Sequence, residues 1–258
     1  MRQYIWQRQT YADLGKKYHR GDKWVQRKLD KIKIKPVVKI NRVALVIIAD
    51  TTFSSRSVGL TVFREPNLKK IVWWKQTVVE KAEVYQLGRQ SLEKKGLAIK
   101  AVVLDGRRGI REVFNGIPIQ MCHFHQKRII NKYLTTRPKL PAGIELREIA
   151  RIIPSSNEEW LTKRLNEWFQ KWQDFLKQKT TDSLTGRWFH THKRIRSAYR
   201  SLITNLSYLY TYQKYPELNI PNTTNSLDGY FNRLKSLLNV HRGLSPQRRH
   251  RMIIEILS

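Results

Sequence analysis

Cysteine is scarce in this 258-residue chain, which contains only Cys122. A single cysteine excludes an intramolecular disulfide framework and fits a reducing compartment. Long apolar runs are also missing, because no stretch approaches the ~20 residues that a bilayer-spanning helix needs. The first residues show no secretory signal pattern. These absences predict an intracellular protein that has no membrane partner.

Acidic residues are few, with 20 Asp+Glu against 50 Lys+Arg and a formal net charge of +30. Such an excess indicates an anionic partner and salt-sensitive binding, because basic side chains on phosphates release condensed counterions. Nucleic acid is the first candidate, ahead of acidic lipid. The aromatic residues support it only weakly: Trp160, Trp168 and Trp172 follow helical spacing, which is typical of core packing.

Two apolar runs each stop at an aspartate: residues 43–49 precede Asp50, and residues 101–104 precede Asp105. Such runs are typical of buried strands, so each carboxylate is expected where a strand leaves the core. Neighbouring strands would bring the two acids together, and hard oxygen ligands suit Mg²⁺ or Mn²⁺. Taken singly, each aspartate also fits a turn former or a helix N-cap.

The N-terminal residues 1–35 predict a helix-turn-helix-like DNA-binding segment. Thr10 precedes a helical pattern, and Gly21 and Asp22 break that helix and begin a second one. The second helix is expected to turn three apolar residues inward: Trp24, Val25 and Leu29. It would present three basic residues to DNA: Lys23, Arg27 and Lys28. The alternative is a small helical cap with a solvated basic face.

Residues 40–258 predict a second, larger domain with a mixed sheet and flanking helices. After a linker or edge strand at 31–42, strands are expected at 43–50, 57–63, 70–74, 100–105 and 117–122. Helices are expected at 80–95 and 107–114. This strand and helix order resembles a ribonuclease H-like α/β core. The span of about 126–220 has almost no strand signal and predicts an all-helical insertion before a last core helix at 223–235.

Four segments together resemble the Mutator-like DDE transposases of bacterial insertion sequences. They are Ala-Asp-Thr-Thr-Phe at 49–53, Leu-Asp-Gly-Arg-Arg-Gly at 104–109, Cys-His-Phe-His-Gln at 122–126 and Asn-Thr-Thr-Asn-Ser-Leu-Asp-Gly-Tyr-Phe at 222–231. The resemblance covers residue 42 to the end. It implies a ribonuclease H-like catalytic domain working in the bacterial cytoplasm, at the nucleoid.

The resemblance implies that Asp50, Asp105 and Asp228 hold two Mg²⁺ (or Mn²⁺) ions and catalyse DNA cleavage and strand transfer. The family usually has glutamate at the third position, and Asp228 alone would be read as a helix-dipole residue. Glu255, the only later acid, lies outside the motif. The implied partners are double-stranded DNA, as transposon ends and target, and further copies of the chain in a homodimer or larger assembly.

Cys122 and His125 match the family's C-x-x-H signature, which implies that they shape the active site. A structural zinc site needs about four N or S ligands, and the chain has no second cysteine. The alternative is a buried thiol beside a hydrogen-bonded histidine.

Basic residues flank the predicted acids and are expected to bind the DNA backbone, the alternative being a solvated face. They are Arg107, Arg108, Arg233, Lys235, Arg242, Arg248 and Arg249. Two other functions remain open on the sequence. One is a catalytically impaired or domesticated DNA-binding protein derived from a transposase, and the other is a ribonuclease H-like nuclease that cuts without joining.

Overall fold

The computed structural model describes residues 1–33, 44–55 and 58–257. Most of the predicted linker at 31–42 lies outside these ranges. So do the expected first residues of two strands, 43 and 57, and the predicted domain limits at 35, 40 and 258. Within the described ranges, we find no helix with the length and apolar character that crossing a bilayer requires.

The N-terminal unit consists of three helices: α1 Arg2–Ile5, α2 Tyr11–Tyr18 and α3 Asp22–Asp30. A capping box begins α2, because the Thr10 hydroxyl accepts from Asp13 N at 3.2 Å while the Asp13 carboxylate accepts from Thr10 N at 2.8 Å. The helix break at residue 21 is confirmed. Val25 is buried with Trp24 and Leu29 packed beside it, and the three predicted basic residues of α3 are exposed.

The central sheet has five strands: β1 Ala44–Ser55, β2 Val58–Glu65, β3 Lys70–Thr77, β4 Ala98–Leu104 and β5 Ile119–Met121. Helix α4, Ala82–Glu93, connects β3 to β4, and α5, Arg108–Val113, connects β4 to β5. The spatial order is β3-β2-β1-β4-β5, antiparallel among β1, β2 and β3 and parallel from β1 to β4 to β5. The predicted order of strands and helices is confirmed, and the fold is mixed α/β.

The prediction that the first strand ends at Asp50 was wrong. β1 continues to Ser55, with Asp50 opposite Val62 and Thr51 opposite Thr61 on β2. The β-branched Thr51 and Thr52 extend the strand because the hairpin supplies a hydrogen-bonding partner there. Asp50 instead marks where β1 runs beyond its parallel neighbour β4.

The region between β5 and the C-terminal helices contains α6 His123–Leu134, α7 Pro141–Ile152, α8 Glu158–Lys177, α9 Lys193–Leu209 and α10 Thr211–Lys214. Short 3-10 helices lie at Ile153–Ser155 and Pro216–Leu218. Trp168 is buried in this helical unit, as its spacing predicted. The all-helical prediction was wrong at one place, where β6 Lys179–Thr181 pairs with β7 Trp188–His190. Three-residue strands are too short to show alternation in sequence.

Helices α11 Asn225–Val240 and α12 Pro246–Leu257 complete the fold. Side chains alternate between the two faces of β1: Leu45, Ile47 and Ala49 join the core under α4 and α5, whereas Val46 and Ile48 join the core under α11 and α12. The N-terminal helices belong to that second core through Tyr4, Ile5, Leu14 and Val25. The helix-turn-helix-like unit therefore packs directly on the C-terminal helices.

Candidate active site

Strand register places Asp50 and Asp105 side by side. Ile48 is the parallel partner of Val103, so the residues two positions further along each strand are level with each other. Period-2 alternation also puts both carboxylates on the face that carries Val46 and Ile48. Asp50 and Asp105, which follow the two apolar runs, therefore lie next to each other at the ends of neighbouring parallel segments, as the sequence predicted.

Helix α11 brings the third acid to the same face. Leu227 and Phe231 are buried in the core that Ile48 joins, which seats the first turns of α11 across β1. Asp228, next to Leu227, thereby reaches the edge where Asp50 and Asp105 lie. All three carboxylates line one cavity of about 930 Å³.

A hydrogen-bonded clasp connects Asp228 to Cys122. The Thr224 hydroxyl donates to Asp228 Oδ2 at 3.0 Å and lies 3.4 Å from the Cys122 thiol sulfur. The backbone N–H of Thr224 also donates to that sulfur, at 3.3 Å. Cys122 and Thr224 are both buried, so the clasp fixes the start of α11 against the end of β5. The motif at 222–231 contains Thr224, but sequence reasoning gave this residue no role in the site.

Asp50 carries the most perturbed carboxyl of the cavity. Burial, the largest cause, and the charges of Asp105 and Asp228 together raise its pKa to about 7, against the opposing effects of His125 and the Thr51 N–H. Thr51 N donates to Asp50 Oδ1 at 2.8 Å. The buried Asp50 carboxyl therefore holds its proton to higher pH than an exposed aspartate does.

Glu80 is a fourth carboxylate of the cavity and was missed in the sequence, where it was taken as the first residue of a helix. Helix α4 begins two residues later, and Glu80 turns into the cavity with only 9% of its side chain exposed. Burial raises its pKa above the ordinary range. Tyr85 OH donates to Glu80 Oε1 at 2.7 Å and lies 3.1 Å from the Thr51 hydroxyl, which connects Glu80 to the residue after Asp50.

Arg107 pairs with two of these acids, Glu80 and Asp105. Its Nη1 lies 2.8 Å from Glu80 Oε2, and its Nε lies 3.7 Å from Asp105 Oδ2. Its backbone N–H also donates to Asp105 Oδ1 at 3.0 Å. Arg107 therefore neutralises part of the carboxylate charge from within the protein.

Cys122 and His125, the predicted shaping residues, differ in their access to the cavity. His125 lines it, whereas Cys122 is buried behind it. Burial lowers the pKa of His125, but the Cys122 thiol and the Asp50 and Asp105 carboxylates outweigh it, so the pKa lies above its ordinary value. Burial raises the pKa of Cys122, but hydrogen bonding to His125 and Thr224 outweighs it, so that pKa is lowered.

The described residues around Cys122 do not form a set of zinc ligands. The His123 ring is turned away, with Nε2 2.7 Å from the Leu209 carbonyl oxygen. Across the described ranges, no three His, Cys, Asp or Glu side chains stand close enough to hold one metal ion. The donor chemistry of the cavity still fits a hard divalent cation, because its acids offer only oxygen ligands.

The predicted DNA-binding residues fall into different environments. Lys235 lines the cavity, together with Arg128 and Lys132 of α6, which the sequence did not single out. Seven are exposed: Lys23, Arg27, Lys28, Arg107, Arg108, Arg233 and Arg242. Lys28 Nζ lies 5.4 Å from the centre of the Trp24 ring. Arg249 donates to the Ser54 hydroxyl at 3.1 Å.

Arg248 is engaged within the protein. Its guanidinium pairs with the Asp30 carboxylate at 2.8 Å and donates to Gln26 Oε1 at 3.1 Å. These contacts tie α12 to α3 across more than two hundred residues of sequence. Arg248 therefore stabilises the packing of α3 against α12. It has this structural role independently of its predicted contact with DNA.

Fold and site together define a mixed α/β protein with a carboxylate-lined cavity at the point where β1 runs beyond the end of β4. No known family model matches the chain, and no curated protein matches it.

Proposed function

We propose that this protein is a DDE-type transposase that cleaves the ends of an insertion sequence and joins them to target DNA. One observation carries the proposal: Asp50, Asp105 and Asp228, separated by up to 178 positions in sequence, line the same cavity. The strand order β3-β2-β1-β4-β5 with the third acid on a late helix supports a ribonuclease H-like core, as the resemblance to Mutator-like transposases implies.

The residues suit phosphoryl transfer on DNA. Asp50, Asp105 and Asp228 would hold the divalent ions, which when bound supply the Lewis acid that activates the attacking oxygen and stabilises the leaving oxygen. Cavity cations on α6 and α11 would position phosphates: Arg128, Lys132 and Lys235. His125 keeps its proton to higher pH than an ordinary histidine and adds positive charge beside the reacting phosphate.

The positive charge of the chain supports the choice of substrate. A net charge of +30 steers an anionic polymer toward the cavity and makes its binding strongly dependent on salt. Handling two transposon ends together requires two active sites, so we propose that the chain works as a dimer or larger assembly on DNA.

The test is cleavage and strand transfer on the flanking ends of the insertion sequence, with Mg²⁺ or Mn²⁺. Asp105→Ala and Asp228→Ala are each expected to lose both reactions, by a factor on the order of 10³, while DNA binding persists. Asp174→Ala is the control, because Asp174 is an exposed acid of α8. Cleavage without joining would indicate a nuclease instead.

A second candidate is a DNA-binding protein derived from a transposase. Two observations favour keeping it: Arg107 already pairs with Glu80 and Asp105, and the described acids are not gathered around a single point. DNA binding with no cleavage under either metal, in the wild type as in the Asp105→Ala variant, would establish this function and reject catalysis.

The Thr224 clasp leads to a further prediction. Thr224→Val keeps the shape of the side chain but removes the hydroxyl that holds Asp228, so Mn²⁺ affinity and strand transfer are expected to fall by about 10- to 100-fold. Thr224→Ser keeps the hydroxyl donor, so its Mn²⁺ affinity and strand transfer are expected to stay within about threefold of wild type. Mn²⁺ binding is measured by electron paramagnetic resonance. Equal behaviour of the two variants would show that the clasp does not position Asp228.

A further inference from the structure

The β6–β7 hairpin presents large apolar side chains to solvent. Leu184 at its tip is 96% exposed, Trp188 is 57% exposed and Phe189 is 41% exposed. Adjacent strand residues point to opposite faces, so the two rings lie on opposite sides of the ribbon. Burial in the helical unit does not explain them, because neither ring belongs to its buried cluster.

Side-chain contacts brace the hairpin at its turn and at its base. The Asp182 carboxylate accepts from the backbone N–H groups of Leu184 and Thr185, both at 2.9 Å, and so closes the turn. Across the strands, the hydroxyls of Thr180 and Thr191 lie 2.7 Å apart. At the base, the rings of Phe175 and His192 stack at 3.5 Å and join the ribbon to α8 and α9. The exposed rings therefore lie on a hairpin that is held at both ends by side-chain contacts.

Positive charge surrounds the rings. Residues 179–196 contain five Lys+Arg and one acid, Asp182, which is used in the turn. Lys179 Nζ lies 3.9 Å from the centre of the Trp188 ring, and Lys193 Nζ lies 5.4 Å from that of Phe189. Two such ribbons from separate copies would repel each other, so the charge favours an anionic partner with flat, apolar surfaces. Nucleic-acid bases on a phosphate backbone have that chemistry.

The base of the hairpin is connected to the cavity. Arg194, just beyond β7, donates to the carbonyl oxygens of Lys132 and Tyr133 at 2.7 and 2.9 Å. Lys132 lines the cavity, as does Arg128 one turn earlier on α6. A DNA strand that leaves the cavity along these cations would arrive at the hairpin.

We propose that the β6–β7 hairpin binds unpaired or unstacked DNA bases next to the cleavage site, with Trp188 as the ring on which a base stacks. The proposal rests on the proposed function, since it takes DNA as the partner. The result of the test does not depend on whether the protein cuts DNA, because the test measures binding alone.

The test compares the binding of two DNAs to the full chain by fluorescence anisotropy: a perfect duplex and the same duplex with a short central bubble. Wild type is expected to prefer the bubble, and Trp188→Leu is expected to lose about tenfold in affinity for it while binding the duplex as before. Trp188→Phe retains a ring and is expected to keep most of the preference. Thermal unfolding of all three should coincide, because Trp188 is exposed.

A 2-aminopurine base in the bubble reports stacking directly. Its fluorescence should be quenched by wild type and by Trp188→Phe, and not by Trp188→Leu. Three results would overturn the proposal: no preference for the bubble, an equal loss of both DNAs in Trp188→Leu, or a change in oligomeric state without a change in DNA affinity. Wild type that binds neither DNA would reject the proposed function as well.

Discussion

On the proposed function, Asp50→Asn is expected to abolish metal-dependent DNA cleavage and at the same time to stabilise the metal-free protein. The amide cannot hold a divalent cation as a carboxylate does, so activity is expected to fall by a factor on the order of 10³ or more. The stability gain follows from linkage. Burial raises the pKa of Asp50 to about 7, from 3.8 in the unfolded chain.

The sign and range of this effect follow from proton binding. Between pH 4 and 7 the folded protein holds a proton on Asp50 that the unfolded chain has released, so the stability of the wild type falls as the pH rises through this interval. Asp50→Asn does not titrate. The advantage of the variant is therefore small at pH 4, grows up to pH 7 and then stays constant, at up to about 4 kcal/mol.

Urea unfolding in EDTA across this pH range measures the gain, with the exposed Asp174→Asn as the control. Added Mg²⁺ should raise the stability of wild type and not of Asp50→Asn, because only a ligand that binds the folded state stabilises it. If Asp50→Asn is less stable than wild type at pH 8, the contacts of the Asp50 carboxylate stabilise the fold by more than the burial of its charge destabilises it.

Gly106→Ala is expected to destabilise the protein by about 3 kcal/mol. Gly106 has a φ of +92°, which side chains with a β-carbon rarely adopt. A β-carbon there would also overlap Met121 Sδ and lie 2.7 Å from Met121 Cε, in the buried end of β5. Since Gly106 follows Asp105 directly, a change in its backbone conformation would displace the carboxylate, and activity should fall with stability.

Gly109→Ala is the matched control. Gly109 lies three residues away, on the exposed first turn of α5, and a β-carbon there meets nothing within 4 Å. Alanine is favoured over glycine in a helix, so this variant is expected to be neutral or stabilised by up to about 1 kcal/mol. Denaturant unfolding compares the two. Equal stability of Gly106→Ala and Gly109→Ala would show that the turn after Asp105 tolerates a side chain.

Local patterns alone predicted much of the fold. The order of strands and helices and the Thr10 cap follow from interactions within a few residues, since periodicity, capping and turn chemistry act over one or two turns of chain. The positions of Asp50 and Asp105 after apolar runs were readable for the same reason. The three-residue strands β6 and β7 were not, because alternation needs more residues to be visible.

Only the tertiary structure decided which distant segments of the chain are in contact. Asp50 lies inside β1 because β2 supplies a partner beyond it, and Glu80 enters the cavity because Tyr85 and Arg107 hold it there. Arg248 is bound to Asp30, which no local pattern indicates. Sequence by itself determined which residues carry acid, base and apolar surface. Long-range packing determined which of them meet, because pairing and desolvation depend on neighbours that the chain brings together only when it folds.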